Sequence, residues 1–287
     1  MAKNKGKICL LISAFIYGIA PILAKVTYEG GANGITLTFL RGALCVPLLF
    51  TMMKANGQSL KLTMNELKKV IILGIFGGAV PIVLLYLSYN YISAGLATTL
   101  HFIYPLIIVL ASSFLFHEKM TKMKLFAVIF VTIGIFLFVD ISHAANSVGI
   151  ILALLSGVFY SFYVIYIERS GLDNMDYVKL TFYVMLIMSI TTLIFGLAVH
   201  EINFDLSPKA WLYAMIISFL IALLAMPLFQ AGVKYEGAST AGIMSTFEPI
   251  TSVALGAMFL NEIVGIWQVI GGAMILTGVV MAEIKER

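Results

Sequence analysis

Residues 94–139 read AGLATTLHFIYPLIIVLASSFLFHEKMTKMKLFAVIFVTIGIFLFV, and residues 238–283 read ASTAGIMSTFEPITSVALGAMFLNEIVGIWQVIGGAMILTGVVMAE. Laid on one another without a gap, they place Pro105 on Pro249, Glu118 on Glu262 and Gly134 on Gly278. Identity between two strings this apolar means little by itself, because a restricted alphabet matches by chance. Placement carries more: a proline inside an apolar run and a glutamate in the turn that follows it recur in register. A neighbouring offset lays Gly6 on Gly149, Ser13 on Ser156 and Tyr17 on Tyr160. The chain is therefore read as two copies of one unit, residues 1–143 and 144–287.

Each copy has room for five membrane crossings. Of 287 residues, 61% are hydrophobic and only 11% charged, and the mean hydropathy is +1.03. A soluble domain carries roughly a quarter of its residues as charges, because its surface faces water. Apolar runs of about 20 residues, the length a helix needs to cross a hydrocarbon core, recur along the whole chain. The spans expected are 8–25, 34–53, 67–89, 94–116 and 123–140, then 148–167, 177–199, 210–233, 238–260 and 263–283. Connections are too short for a water-soluble domain, so composition excludes a soluble enzyme, a receptor with a large exposed domain and a single-pass anchor. The expected fold class is an all-α membrane protein of ten transmembrane helices. The three lysines before Ile8 resemble the basic region of a signal peptide, but no small-residue cleavage site follows, so this run is read as a retained first helix. The net charge of +4 is scattered between spans and forms no nucleic-acid patch. Cys9 and Cys45 both lie inside apolar runs, with neither metal-ligand spacing nor a disulfide framework. No metal or cofactor is expected.

The charges also orient the spans. With the N-terminus in the cytoplasm, all of the 18 Lys and Arg residues except Lys25, Arg41 and Lys209 fall on the inner side, a strong positive-inside bias that predicts both termini to be cytoplasmic. Five is an odd number, so the second copy must enter the membrane upside down. The turns agree. The turn from Glu118 holds Lys119, Lys122 and Lys124, whereas its counterpart from Glu262 holds no lysine up to Gln268. Two inverted five-helix repeats related by an axis in the membrane plane are the usual basis of alternating access.

With Leu40-Arg41 in span two, Pro105 in span four, Glu248-Pro249-Ile250 in span nine, the acidic turns at Glu118 and Glu262, and Gln268, Gly271 and Gly278 after them, the chain resembles EamA-type members of the drug/metabolite transporter superfamily. The resemblance covers nearly the whole chain. It departs where a glycine often precedes the turn glutamate, since His117 and Asn261 stand there. The resemblance implies ten helices around a central cavity and transport, commonly export, of small metabolites. It implies no particular substrate.

Glu248 is the most informative residue, because a carboxylate in mid-span is costly unless it is paired, protonated or facing a water-filled cavity. Straight-helix spacing puts it on one small, polar face with Ala241, Ser245 and Ser252. It is expected to bind a substrate ammonium or exchange a proton; the competing reading is a structural hydrogen bond to a neighbouring helix. Pro249 and Pro105 lack the N–H that would pair the carbonyls of Ser245 and His101, and freed carbonyls at membrane depth must be buried in protein or line a cavity. In the repeat Glu248 corresponds to Tyr104, and Ser245 to His101, so the halves offer unlike polar groups at equivalent depths. Both prolines serve either coupling or simple kinking. His101 is a candidate proton relay or hydrogen-bond partner, weighed against a satisfied structural histidine. Arg41 is read chiefly as a snorkelling or structurally bonded residue, with anion binding as the alternative. Tyr17, Tyr160, Tyr163 and Tyr86 are candidate aromatic walls for an amine or an apolar side chain. Pro81, and Pro227 with Gln230, mark irregular helices bordering the cavity, while Gly74, Gly77 and Gly78 are read as close-packing residues.

The function expected is a secondary transporter in the cell membrane, working by alternating access on a small-molecule substrate within the lipid bilayer. An amino acid or related amine is the favoured cargo, export the favoured direction and protons the candidate coupling ion, in a monomer or homodimer. A lipid-carrier flippase of the same fold is the alternative. An intramembrane enzyme is weaker still, because His117-Glu118 and His200-Glu201 lack the second histidine of a zinc site and the Asp residues lie at span ends or in loops.

Overall fold

Nearly every apolar run forms helix, since backbone polar groups in hydrocarbon must pair within their own segment. The computed structural model describes residues 5–88, 90–92, 94–117, 120–137, 146–260 and 265–283, and every regular element among them is helical. Span one is α1 (Lys5–Glu29), and span two is α2 (Gly34–Ala43) followed by α3 (Val46–Ala55). Span three runs through α4 (Met64–Ile72), a wider π-helical stretch (Leu73–Ala79) and α5 (Val80–Ser88). Spans four and five are α6 (Ala94–His101) with α7 (Tyr104–Phe116), and α8 (Lys122–Phe136). In the second half, α9 (Ser147–Arg169) and α10 (Tyr177–Ala198) are continuous. They are followed by α11 (Pro208–Phe219), a second π-helical stretch (Leu220–Ala225), α12 (Met226–Ser245), α13 (Phe247–Leu260) and α14 (Ile266–Glu283). α12 turns sharply at Gly237, whose φ of 81° an L side chain rarely adopts; residues up to 236 finish span eight and those from 238 open span nine.

These elements make up a ten-helix membrane fold. Six helical stretches among the described residues are long and apolar enough to cross a bilayer, Lys5–Glu29 and the 38-residue Pro208–Ser245 among them, and shorter apolar helices such as Tyr104–Phe116 complete the set. Loop residues cap the starts: Asn33, Thr63, Thr121, Asn146, Asp176 and Ser207 each accept a backbone N–H from the first turn of the helix that follows.

The packing of α8 on α14 displays the inverted repeat directly. A Cβ added to Gly134 would lie 2.7 Å from the Gly271 carbonyl and 2.9 Å from Ile275 Cγ1, and one added to Gly278 would lie 2.7 Å from both the Ala127 carbonyl and Val131 Cγ2. Positions 127, 131 and 134 are the repeat equivalents of 271, 275 and 278, so each helix presents the same patch to the other, as a two-fold axis demands. Gly134 meets Gly271 while the earlier Ala127 meets the later Gly278, so the two helices run antiparallel. The halves also exchange partners: α1 packs on α11, α12 and α13, and α9 packs on α5, α6 and α7.

Both π-helical stretches end just before a proline, at Val80-Pro81 and Met226-Pro227. Each proline removes an N–H from the ladder, and the wider turn re-registers the carbonyls left behind. The turn glutamates Glu118 and Glu262, with Asn261, lie outside the described residues. His117 ends α7 at φ 54°, ψ 29°, in the left-handed region; the histidine thus adopts the conformation glycine would favour there. Relief of that strain should make His117→Gly about 1 kcal/mol more stable, read as a higher melting temperature in detergent. An unchanged or lower melting temperature counts against it.

A polar cavity between broken helices

Span four breaks where Pro105 cannot donate. Phe102 N–H reaches the Thr98 carbonyl at 3.0 Å, Ile103 N–H tightens onto Leu100 at 3.2 Å, and α7 restarts at Tyr104. The His101 carbonyl, left without its usual donor, rests on α9 so closely that a Cβ on Gly157 would sit 2.6 Å away. Span nine breaks at the equivalent place. Thr246 donates from its N–H (3.2 Å) and its hydroxyl (2.5 Å) to the Ile243 carbonyl, and α13 restarts at Phe247 ahead of Pro249. The Glu248 carbonyl lies 2.8 Å from where a Cβ on Gly18 of α1 would be. Because of this break Glu248 stands in the first turn of α13 while Ala241 and Ser245 belong to α12.

The two breaks touch. Tyr104 donates its hydroxyl to Ser245 Oγ at 2.7 Å, and Ser245 donates onward to the Gly242 carbonyl at 2.9 Å. A Cβ on Gly242 would contact Pro105 Cα at 3.5 Å. His101 Nδ1 lies 2.8 Å from Ser156 Oγ. Ser156 spends its own proton on the Ala153 carbonyl at 2.6 Å, so His101 is the donor and carries its proton on Nδ1. Although this places a serine beside a histidine, Ser156 is buried with its proton engaged elsewhere, which is not the arrangement of an activated nucleophile.

Around this junction the rings of His101, Tyr104 and Tyr160 pack with centroids 4.7 to 5.5 Å apart. Tyr160 stacks on Tyr163 at 5.7 Å, and Tyr163 on Phe229 at 6.4 Å. Beside them a small cavity offers about 50 Å³ to the centre of a water-sized molecule. It is lined by Tyr17, Tyr160 and Tyr163, by Met185, Met188 and Met226, and by Gly77, Gly78 and Ile82 of span three. Arg41 completes the lining. Its Nε is buried and has no hydrogen-bond partner among the described residues. Next to it, a Cβ on Gly42 would lie 2.6 Å from the Met185 carbonyl, so the end of α2 is pressed against span seven. Glu248 stands at the second break, in the first turn of α13, where its backbone carbonyl faces Gly18 of α1.

Two further residues named from the sequence lie outside the cavity lining. Gln230 is fully buried, its Oε1 accepting from Thr181 at 3.3 Å, and its amide nitrogen sits beside the Tyr163 hydroxyl without either completing a well-formed hydrogen bond. Tyr86 lies near the end of span three, against Gly34, and lines a separate pocket of about 210 Å³ with Asn33, Asn90 and Glu201. Conversely, the structure adds the three methionines, Ile82 and the glycines 77 and 78. Met185 and Met188, three residues apart on one helical face, are the sequence signal for the methionines in the lining. Gly77 packs on Tyr163, as a close-packing residue should, and still borders the cavity.

Over 98% of each chain, a solved crystal structure superposes with a TM-score of 0.84 at 17% identity, which shows the fold alone. An uncharacterized transporter of Archaeoglobus fulgidus is 27% identical, covering 98% of this chain and all of the relative. Uncharacterized transporters of Synechocystis sp. and Bacillus subtilis are each 24% identical, covering 98% of this chain and 94% of theirs. The EamA-like transporter family matches twice, over residues 4–140 and 147–283. Two matches that together span almost the whole sequence decide the matter: the chain belongs to the EamA-like transporter family, as a multi-pass membrane protein.

Proposed function

We propose that this chain is a secondary transporter that moves an amino acid or related amine-bearing metabolite out of the cell by alternating access, with protons as the coupling ion. The observation that carries the reading is the meeting of the two helix breaks, Tyr104 on Ser245, beside a small cavity lined by Arg41 and three tyrosines, with Glu248 in the first turn of α13 at the second break. A carboxylate at membrane depth beside tyrosine faces suits an ammonium group. The repeats, taken as 1–143 and 144–287, rock about this junction, with both termini in the cytoplasm of a monomer or homodimer in the cell membrane.

Contacts at both ends of the bundle support a gated route. At one end Asn33 donates to the Glu201 carbonyl at 2.6 Å, and Asn203 donates to the Gly31 carbonyl at 2.8 Å. At the other, Lys179 donates to the Lys61 carbonyl at 2.8 Å, Tyr183 to the Leu60 carbonyl, and Ala238 N–H to Glu168 at 3.1 Å. Breaking one set while keeping the other opens the cavity to one side at a time. The test is flux of a panel of labelled amines and amino acids in proteoliposomes, with wild type compared with Glu248→Gln. Saturable, Glu248-dependent flux is expected; its absence across the panel contradicts the proposal.

A further inference from the structure

The larger pocket, of about 210 Å³, lies at the far end of α1 from Lys5, where the turn into α2, the end of span three and the loop after α10 come together. Its polar groups are the Asn33 and Asn90 amides, the Tyr86 phenol and the Glu201 carboxylate, and Leu87 and Phe195 add apolar lining. These groups are set in place by the fold. His200 turns the chain back at φ 57°, Glu201 N–H donates to the Gly196 carbonyl at 2.9 Å, and Asn203 N–H donates to Thr36 Oγ1 at 3.0 Å. The loop is thereby tied across the start of α2. Asn33 caps α2 by accepting from Thr36 N–H at 2.8 Å, and its amide nitrogen donates to the Glu201 carbonyl at 2.6 Å and to Glu201 Oε2 at 3.2 Å. That bond orients the carboxylate, and among the described residues Glu201 forms no ion pair. Tyr86 is fixed as well: a Cβ on Gly34 would overlap its ring, and Tyr28 meets it edge-on with centroids 6.3 Å apart.

A carboxylate without a counter-charge, beside aromatic rings whose faces attract positive charge, calls for a cation. One carboxylate and two amides supply too few oxygens for a calcium ion, which takes about six or more, and such an ion leaves the apolar lining unused. An organic ammonium uses both parts. We propose that this pocket is a binding site for a small organic ammonium ion with an apolar body: Glu201 holds the charge, and Tyr86, Leu87 and Phe195 receive the hydrocarbon. Asn33 and Tyr86 belong to the first half of the chain and Phe195 and Glu201 to the second, so the occupant sits across the seam between them. The pocket shares no lining residue with the cavity between the broken helices, and its binding does not depend on what the chain transports.

The experiment uses the purified full chain in detergent, so it needs neither transport nor a known orientation. With Cys9 and Cys45 replaced by serine, Val199→Cys puts a single thiol at an exposed position of the pocket lining. Its rate of reaction with a maleimide is followed with added phenethylamine, or with 2-phenylethanol, a neutral molecule of the same shape. Saturating phenethylamine is expected to slow labelling about fivefold or more, and 2-phenylethanol less than about twofold. Glu201→Gln should remove most of this difference, whereas Glu248→Gln, at the other site, should leave the protection of Val199→Cys in place. The two probes are compared with Glu201 present, so that result stands even if Glu201→Gln does not fold. Absent protection, equal protection by both probes, or protection by phenethylamine that survives Glu201→Gln overturns the inference. Protection lost in Glu248→Gln overturns it too, since the ammonium would then bind between the broken helices. None of these outcomes bears on the transport reading, which stands or falls on flux.

Discussion

Gly157→Val is expected to abolish transport and lower the melting temperature by several degrees. The first atom a Cβ would meet is the His101 carbonyl oxygen at 2.6 Å, followed by Ile103 Cγ2 at 3.0 Å. That oxygen belongs to backbone and lies at the break that positions Tyr104 and Pro105, so it cannot move aside without moving the junction. Overpacking of this kind costs about 1–3 kcal/mol, and in a chain of this size each kcal/mol corresponds to roughly 2–4 °C. Gly78→Ala is the control. Its Cβ would find its nearest neighbour, Val184 Cγ1, at 3.5 Å, an ordinary contact, so the fold should keep its stability while the cavity narrows. Thermal unfolding and flux measured on both variants check this. Equal stability of Gly157→Val and wild type would mean that α9 does not bear on the span-four break.

Glu248→Gln should leave the fold intact and reduce flux about 30-fold. The side chains are nearly isosteric, and loss of the carboxylate's favourable place in the first turn of α13 should cost less than about 1 kcal/mol. Replacing a charged hydrogen bond to an ammonium by a neutral one forfeits about 2 kcal/mol, which is roughly the 30-fold stated. If protons are coupled through this carboxylate, wild-type flux responds to an imposed pH gradient and flux by the Gln variant does not. Undiminished flux by Glu248→Gln at every pH would remove the carboxylate from the mechanism. Loss of flux together with a large fall in stability would instead mark Glu248 as a structural residue.

Much of this architecture is written in the sequence because hydrocarbon enforces it. Apolar runs must be helices, and a proline in such a run must free a carbonyl, so Pro105 and Pro249 announced the two breaks. The pairing of α8 with α14 follows from the repeat itself, since Gly134 and Gly278 are equivalent positions facing each other's helix. What helical periodicity cannot deliver is which way a side chain faces beyond a break or a π-helical stretch. The face assigned to Glu248 takes span nine as one straight helix, whereas α12 ends at Ser245 and α13 opens at Phe247. Tyr86 was grouped with the cavity tyrosines by residue type, although its place near the end of span three put it at a different depth. Arg41 illustrates the converse. In sequence it is one charge in an apolar run, read as snorkelling or structurally bonded; its place in the cavity lining and the close contact of Gly42 with span seven come from tertiary packing that periodicity does not encode.

Cavity access from both faces of the membrane is the most direct measure of alternating access. In a protein whose free Cys9 and Cys45 are replaced by serine, a single cysteine introduced as Ile82→Cys lies in the cavity lining. It can be challenged with a membrane-impermeant maleimide in intact cells and in inside-out vesicles. The account predicts labelling from each side, slowed on both by a transported solute. Labelling confined to one side under all conditions, or to neither, would contradict it.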